Sequence, residues 1–141
     1  MSDAQLFQYA NTTALLSWII LVFQPKRTAP ILRVVIPVAM ALLYIWALST
    51  APANPDGGFG SLAEVKALFT QDRAVLAGWV HYLAFDLFVG CWMTTDANAR
   101  GIKHLLVVPC LVLTFMFGPA GLLLYFGLRA VSARSGTVTA P

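Results

Sequence analysis

Between His81 and Gly121 the chain carries two long apolar segments flanking one short charged connection, and Asp86 sits inside the first segment. A segment of about 20 apolar residues is long enough to cross a bilayer as a helix. An ionisable side chain inside such a segment is costly to keep there, so it marks a functional position by default. The rest of the chain reads as the scaffold that makes Asp86 tolerable.

Composition agrees with a lipid-facing chain. Of 141 residues, 59% are hydrophobic and 11% charged, against about 25% charged in a soluble domain. The net charge of +3 comes from nine basic residues scattered through connections and ends. No basic run is interleaved with aromatics, so no nucleic-acid partner is indicated. Cys91 and Cys110 lie in apolar segments, form no metal motif, and read as small buried hydrophobes. The beginning, MSDAQLFQ, lacks the basic region of a secretory signal, so the first apolar segment is expected to stay.

The expected fold is all-α: a four-span transmembrane helical bundle in one domain over 1–141, with a short interfacial helix between spans 2 and 3. The first span covers about 6–23 and ends at Gln24-Pro25-Lys26-Arg27-Thr28-Ala29-Pro30, a connection with two prolines. The second covers about 31–50, with Pro37 in its second turn. A turn-rich linker, 51–60, leads to Ser61-Leu62-Ala63-Glu64, a capping box. Leu62, Val65, Leu68 and Phe69 then share one face of a helix suited to lie in the interface. The third span covers about 74–95 and runs on past Asp96 and Arg100, which are spaced i, i+4. Gly101 follows as the residue past the helix C-cap. The fourth covers about 105–128 and is interrupted by Gly118-Pro119-Ala120-Gly121. The tail from Ala130 to Pro141 is small and polar and reads as frayed.

Orientation follows lysine and arginine. Lys26, Arg27, Arg33, Arg100 and Lys103 oppose Lys66, Arg73, Arg129 and Arg134 in this arrangement, which places both chain ends outside the cytoplasm.

Helices joined by tight turns bring residues equidistant from the turn to similar depth. Pivots near Arg27 and Arg100 set Asn11 and Thr12 level with Tyr44, Asp86 level with Thr114, and His81 level with the Gly118-Pro119 break. The result is one polar layer: Asn11, Thr12, Tyr44, His81, Asp86 and Thr114. Tyr82 and Asp86 share a helix face, whereas His81 lies about 140° from Asp86 around the helix. Two readings stand. The layer is a set of hydrogen bonds that holds the helices in register, or it is a small reactive or binding cavity. In the second reading Asp86 is an acid or base. His81 is then its partner or a plain interfacial histidine, and Asn11, Tyr44, Tyr82 and Thr114 orient substrate. Trp79, Phe85, Trp92 and Phe115 are either plain packing or the walls of an apolar slot. Asp96, Arg100, Lys103 and His104 crowd one connection, as a solvated hairpin or as a head-group or partner site.

Two histidines are too few for a clustered di-iron site. Gly57-Gly58-Phe59-Gly60 lacks the spacing of a dinucleotide loop. Any chemistry is therefore expected to need no metal or cofactor and to be redox-neutral, such as isomerisation of a lipid-soluble molecule. Oligomeric state stays open, since Gly90 with Thr94 and Gly118 with Leu122 give only half-motifs for close helix approach.

The string His81-Tyr82-Leu83-Ala84-Phe85-Asp86-Leu87-Phe88-Val89-Gly90 carries a resemblance, together with Trp92, Asp96, Arg100-Gly101-Ile102, His104, Leu105-Leu106-Val107-Val108-Pro109-Cys110, Phe117-Gly118-Pro119 and Gly121. It resembles the abscisic-acid-deficient, neoxanthin-synthase-like family of small integral membrane proteins. The likeness is specific over about His81 to Arg129 and is of the compact bacterial type, which implies the bacterial inner (plasma) membrane. Plant members are implicated in turning violaxanthin into neoxanthin, where an epoxide opens and a proton leaves to give an allene without net redox change. The resemblance therefore implies a carotenoid or related lipid-soluble ligand and an isomerase-like activity. The rival is a non-enzymatic carotenoid- or lipid-binding or assembly partner in the membrane.

Overall fold

The computed structural model describes residues 1–135, and all six of its regular elements are helices. They are α1 (Asp3–Phe23), α2 (Pro25–Thr50), α3 (Leu62–Leu68), α4 (Asp72–Ala99), α5 (His104–Phe117) and α6 (Pro119–Ser135). Three of them, α1, α2 and α4, are long and apolar enough to cross a membrane. Among these, α2 is the most apolar, yet only 11% of its apolar window is buried within the protein, against 50% for α4. Val34, Val35, Val38, Leu42 and Ile45 all stand exposed along it. Water penalises such exposure, whereas lipid tails do not.

The local sequence explains most helix ends. Ser2 and Gln5 form a reciprocal capping box at the start of α1: Gln5 N–H donates to Ser2 Oγ at 3.2 Å and Ser2 N–H to Gln5 Oε1 at 2.9 Å. At the other end a single residue, Gln24, separates α1 from α2. The expected connection 24–30 is thus corrected, because Pro25 opens α2 at the one position where its missing N–H costs nothing. Ser61 caps α3 as expected, accepting from Glu64 N–H at 3.2 Å. The Glu64 carboxylate reaches back one residue further than a standard box, to Gly60 N–H.

The chain divides into two compact units. The first joins Met1–Leu15 with Ile36–Phe85. Its core gathers Ala10, Ala14, Met40, Leu76, Val80, Leu83 and Ala84. Small residues from α1 meet larger ones from α2 and α4, which lets the helices approach closely. Arg73 binds this unit's charged end. It pairs with Asp3 at 2.8 Å, donates to Thr50 Oγ1 and lies over the Trp46 ring. Asn54 closes the 51–61 linker onto α3 by donating to Ala67 O at 2.8 Å.

The second unit joins Leu16–Val35 with Asp86–Pro141. Here the expected fourth span, 105–128, is two helices rather than one. Gly118 between them adopts φ +48° and ψ −102°, which reverses the chain. The pair forms an antiparallel hairpin. Gly121 is packed so closely on Thr114 and the Cys110 carbonyl that no side chain fits, and Tyr125 returns to donate to Asp96 Oδ2 at 2.7 Å. Arg129 approaches the same carboxylate at 3.7 Å. From Asp86 to Asp96 on α4 and from Pro119 to Arg129 on α6 the rise is the same, about 15 Å. The hairpin thus starts and ends at the same end of this unit as Ala99. At 14 residues α5 is about 21 Å long and falls short of a bilayer's hydrocarbon core. Residues 130–135, expected to fray, continue α6. The remainder of that expected tail, 136–141, lies outside the described residues.

Candidate functional site

The third long helix, α4, carries most of the charged and aromatic side chains singled out from the sequence, and the two units present them separately. In the first unit they form an aromatic cluster. His81 is exposed and stacks on Phe85 one turn below, with ring centroids 4.6 Å apart. Tyr44 of α2 lies 5.7 Å from the same imidazole. On another side of α4, Trp79 sits between Phe7 and Tyr82, at 5.6 and 5.4 Å. Its indole N–H donates to Asn11 Oδ1 at 2.7 Å. The sequence offered Trp79 as plain packing or slot wall, but its polar edge is what anchors Asn11. A tryptophan and an asparagine facing each other across two apolar helices is the signal that could have shown this.

Asp86 belongs to the second unit and is half-buried. Its carboxylate lies directly over the hairpin turn: a Cβ at Gly118 would come within 3.2 Å of both carboxylate oxygens. A side chain there would force the carboxylate to give by a few tenths of an ångström, and the positive φ of Gly118 itself favours glycine. The depth argument put Thr114 at this level, and that alignment is corrected. Thr114 is fully buried, donates to Cys110 O at 2.8 Å within α5, and faces Met93 Sδ at 3.9 Å. Met93 lies seven residues beyond Asp86, about 10 Å along α4. The error comes from the pivot. The midpoint of Asp86 and Gly118 falls at Ile102 rather than Arg100, because 100–103 form a non-helical turn. Ile102 N–H bonds Ala97 O at 2.9 Å and Gly101 N–H bonds Asn98 O at 3.2 Å. With Gly101 at φ +68° this is the Schellman ending that the sequence position of Gly101 predicted.

Around that turn the remaining predicted residues meet different partners. Asp96 accepts from Arg100 at 2.8 Å, the expected i, i+4 pair. That hydrogen bond raises the already high pKa of Arg100, which stays charged. Tyr125, wholly buried, is the partner of Asp96 that linear reasoning missed; a folded-back α6 was needed to find it. His104 Nε2 lies 2.8 Å from Val22 O at the end of α1. Since a carbonyl only accepts, Nε2 carries the proton. The four aromatics proposed as one slot do not gather within either unit. Trp79 and Phe85 belong to the first, while in the second Trp92 packs edge-on against Tyr125 and Phe115 against Trp18.

Fold and site together define an all-α chain with three helices fit to cross a membrane, and an acid set against the turn of a short helical hairpin. The chain belongs to the ABA DEFICIENT 4-like family, whose model matches residues 5–125. That match covers both units, including Asp86, the hairpin turn and Tyr125. Searches of curated proteins and of solved structures returned no match.

Proposed function

We propose that the protein is an integral membrane protein that isomerises a carotenoid or related lipid-soluble molecule without a cofactor, with Asp86 as the acid/base. The observation that carries this reading is the placement of the Asp86 carboxylate on the Gly118 turn, in a chain of this family. In this reading α1, α2 and α4 cross the bilayer, and α5–α6 enters and leaves on one side in place of a fourth span. The hairpin tip then lies at the depth of Asp86. Irregular backbone at that depth is tolerated only where protein or a polar cavity covers it, and a carboxylate over the tip supplies such cover. His81, Phe85 and Tyr44 offer an aromatic face on which a polyene can lie.

The hairpin also revises the orientation. Within the second unit Arg129 joins Lys26, Arg27, Arg33, Arg100 and Lys103 at one end. By the positive-inside rule the six-residue end faces the cytoplasm. The end of α6 then lies inside, and an inner (plasma) membrane fits this charge bias.

A second reading has its own support. Asn11 is held by Trp79 and Thr114 by Cys110, so two members of the expected polar layer serve packing. A non-enzymatic carotenoid-binding or assembly partner needs no more than that. Pigment analysis of a carotenoid-producing host decides between them. A new or isomerised carotenoid that vanishes in Asp86→Asn, with the variant still folded in the membrane, supports catalysis. An unchanged profile with wild-type protein present in the membrane removes the isomerase reading for those carotenoids.

A further inference from the structure

We infer that the cytoplasmic end of the second unit holds a binding site for a phosphate-bearing anion, supplied by an anionic lipid of the adjoining leaflet. A cavity of about 430 Å³ opens there, lined among others by Pro25, Lys26, Asn98, Gly101, Lys103 and His104. Both lysines are exposed, and among the described residues neither has an ion pair. No acidic residue lines the cavity. Asp96, the nearest acid along α4, is already engaged by Arg100, Arg129 and Tyr125.

Two helix beginnings add to the positive field. Pro25 and Lys26 form the first turn of α2, which contains no acid. Lys103 and His104 are the N-cap and first residue of α5, and no side chain caps that helix. Free N–H groups at a helix start favour an anion, yet here a lysine stands at each start, Lys26 on α2 and Lys103 on α5. Like charges gathered round one cavity repel each other until an anion joins them. His104 is held by its bond to Val22 O and forms part of the cavity wall. The amide of Asn98 supplies a further donor.

Lipid is the favoured source because this inference rests on the membrane reading above. The end in question carries the excess of lysine and arginine, and the cytoplasmic leaflet is the anionic one. A lipid phosphate at the end of the spans meets the cavity without leaving the interface, while its chains lie along the exposed apolar side chains of α1 and α2, such as Phe23 and Ile31.

The test uses the full chain in mixed micelles, with native mass spectrometry to count bound phosphatidylglycerol against phosphatidylcholine. Phosphatidylglycerol is expected to bind preferentially. The Lys26→Gln/Lys103→Gln double variant is expected to lose that preference by on the order of thirtyfold, while Lys66→Gln leaves it unchanged. Inorganic phosphate is titrated as a separate arm. If it binds the wild type but not the double variant, and phosphatidylglycerol shows no preference, the anion site stands with a soluble source. Equal binding of both lipids together with no phosphate binding overturns the site, as does a preference that survives the double variant. Alkaline carbonate extraction of host membranes tests the membrane reading separately, so its failure is not confused with that of the site.

Discussion

Replacing Gly118 by alanine tests the hairpin and the placement of Asp86 together. At φ +48° and ψ −102° an L side chain sits in a sparsely populated region that costs about 1–3 kcal/mol. The new Cβ would also lie 3.2 Å from both oxygens of Asp86, so the carboxylate must shift as well. Gly127, on the same helix, is the control. Its added Cβ meets nothing within 4 Å, and alanine is favoured over glycine in a helix by about 0.5–1 kcal/mol. The two variants are therefore expected to move stability in opposite directions. Unfolding by sodium dodecyl sulfate in mixed micelles, followed by far-ultraviolet circular dichroism, reads both. Repeating Gly118→Ala in an Asp86→Ala background separates the two causes: the backbone cost stays and the contact with the carboxylate goes. A Gly118→Ala variant as stable as the wild type would refute the reversed turn. An unchanged cost in the Asp86→Ala background would refute the close approach of the acid.

Other substitutions probe the packing around this turn. Gly121→Ala drives a methyl into Thr114 and the Cys110 carbonyl, and is expected to cost about 1–3 kcal/mol in the same unfolding assay. Gly90→Ala meets the buried ring of Trp18 and is expected to destabilise by a similar amount, about 1–3 kcal/mol, with a change in tryptophan fluorescence. Trp79→Phe keeps the ring but removes the donor to Asn11; a loss of about 1 kcal/mol is expected, and Asn11→Ala in that background should then cost little more. Tyr125→Phe removes the buried hydroxyl that donates to Asp96, with an expected loss of about 1 kcal/mol, whereas Arg100→Gln, at an exposed pair, should leave the unfolding midpoint nearly unchanged.

Local rules carried far in this chain. Three spans were legible as apolar runs of sufficient length, and the ends of α3 and α4 as Ser61 and Gly101, because capping depends on residues within one turn of each other. The Asp96–Arg100 pair was legible for the same reason. The boundary of α2 was misplaced because Pro25 and Pro30 read as breakers, although proline suits the start of a helix. Gly118-Pro119 was legible as an interruption but not as a reversal. A glycine and a proline permit either a kink or a turn, and only the packing of Gly121 on Cys110 and Thr114 selects the turn.

From the amino-acid order alone come the membrane character, the family likeness and the prominence of Asp86, all of which rest on composition and contiguous pattern. Tertiary structure decided what Asp86 faces and that Tyr125 and Arg129 return to Asp96. Those facts depend on the direction of one short helix. That direction is set by contacts between residues far apart along the chain, which no local pattern encodes.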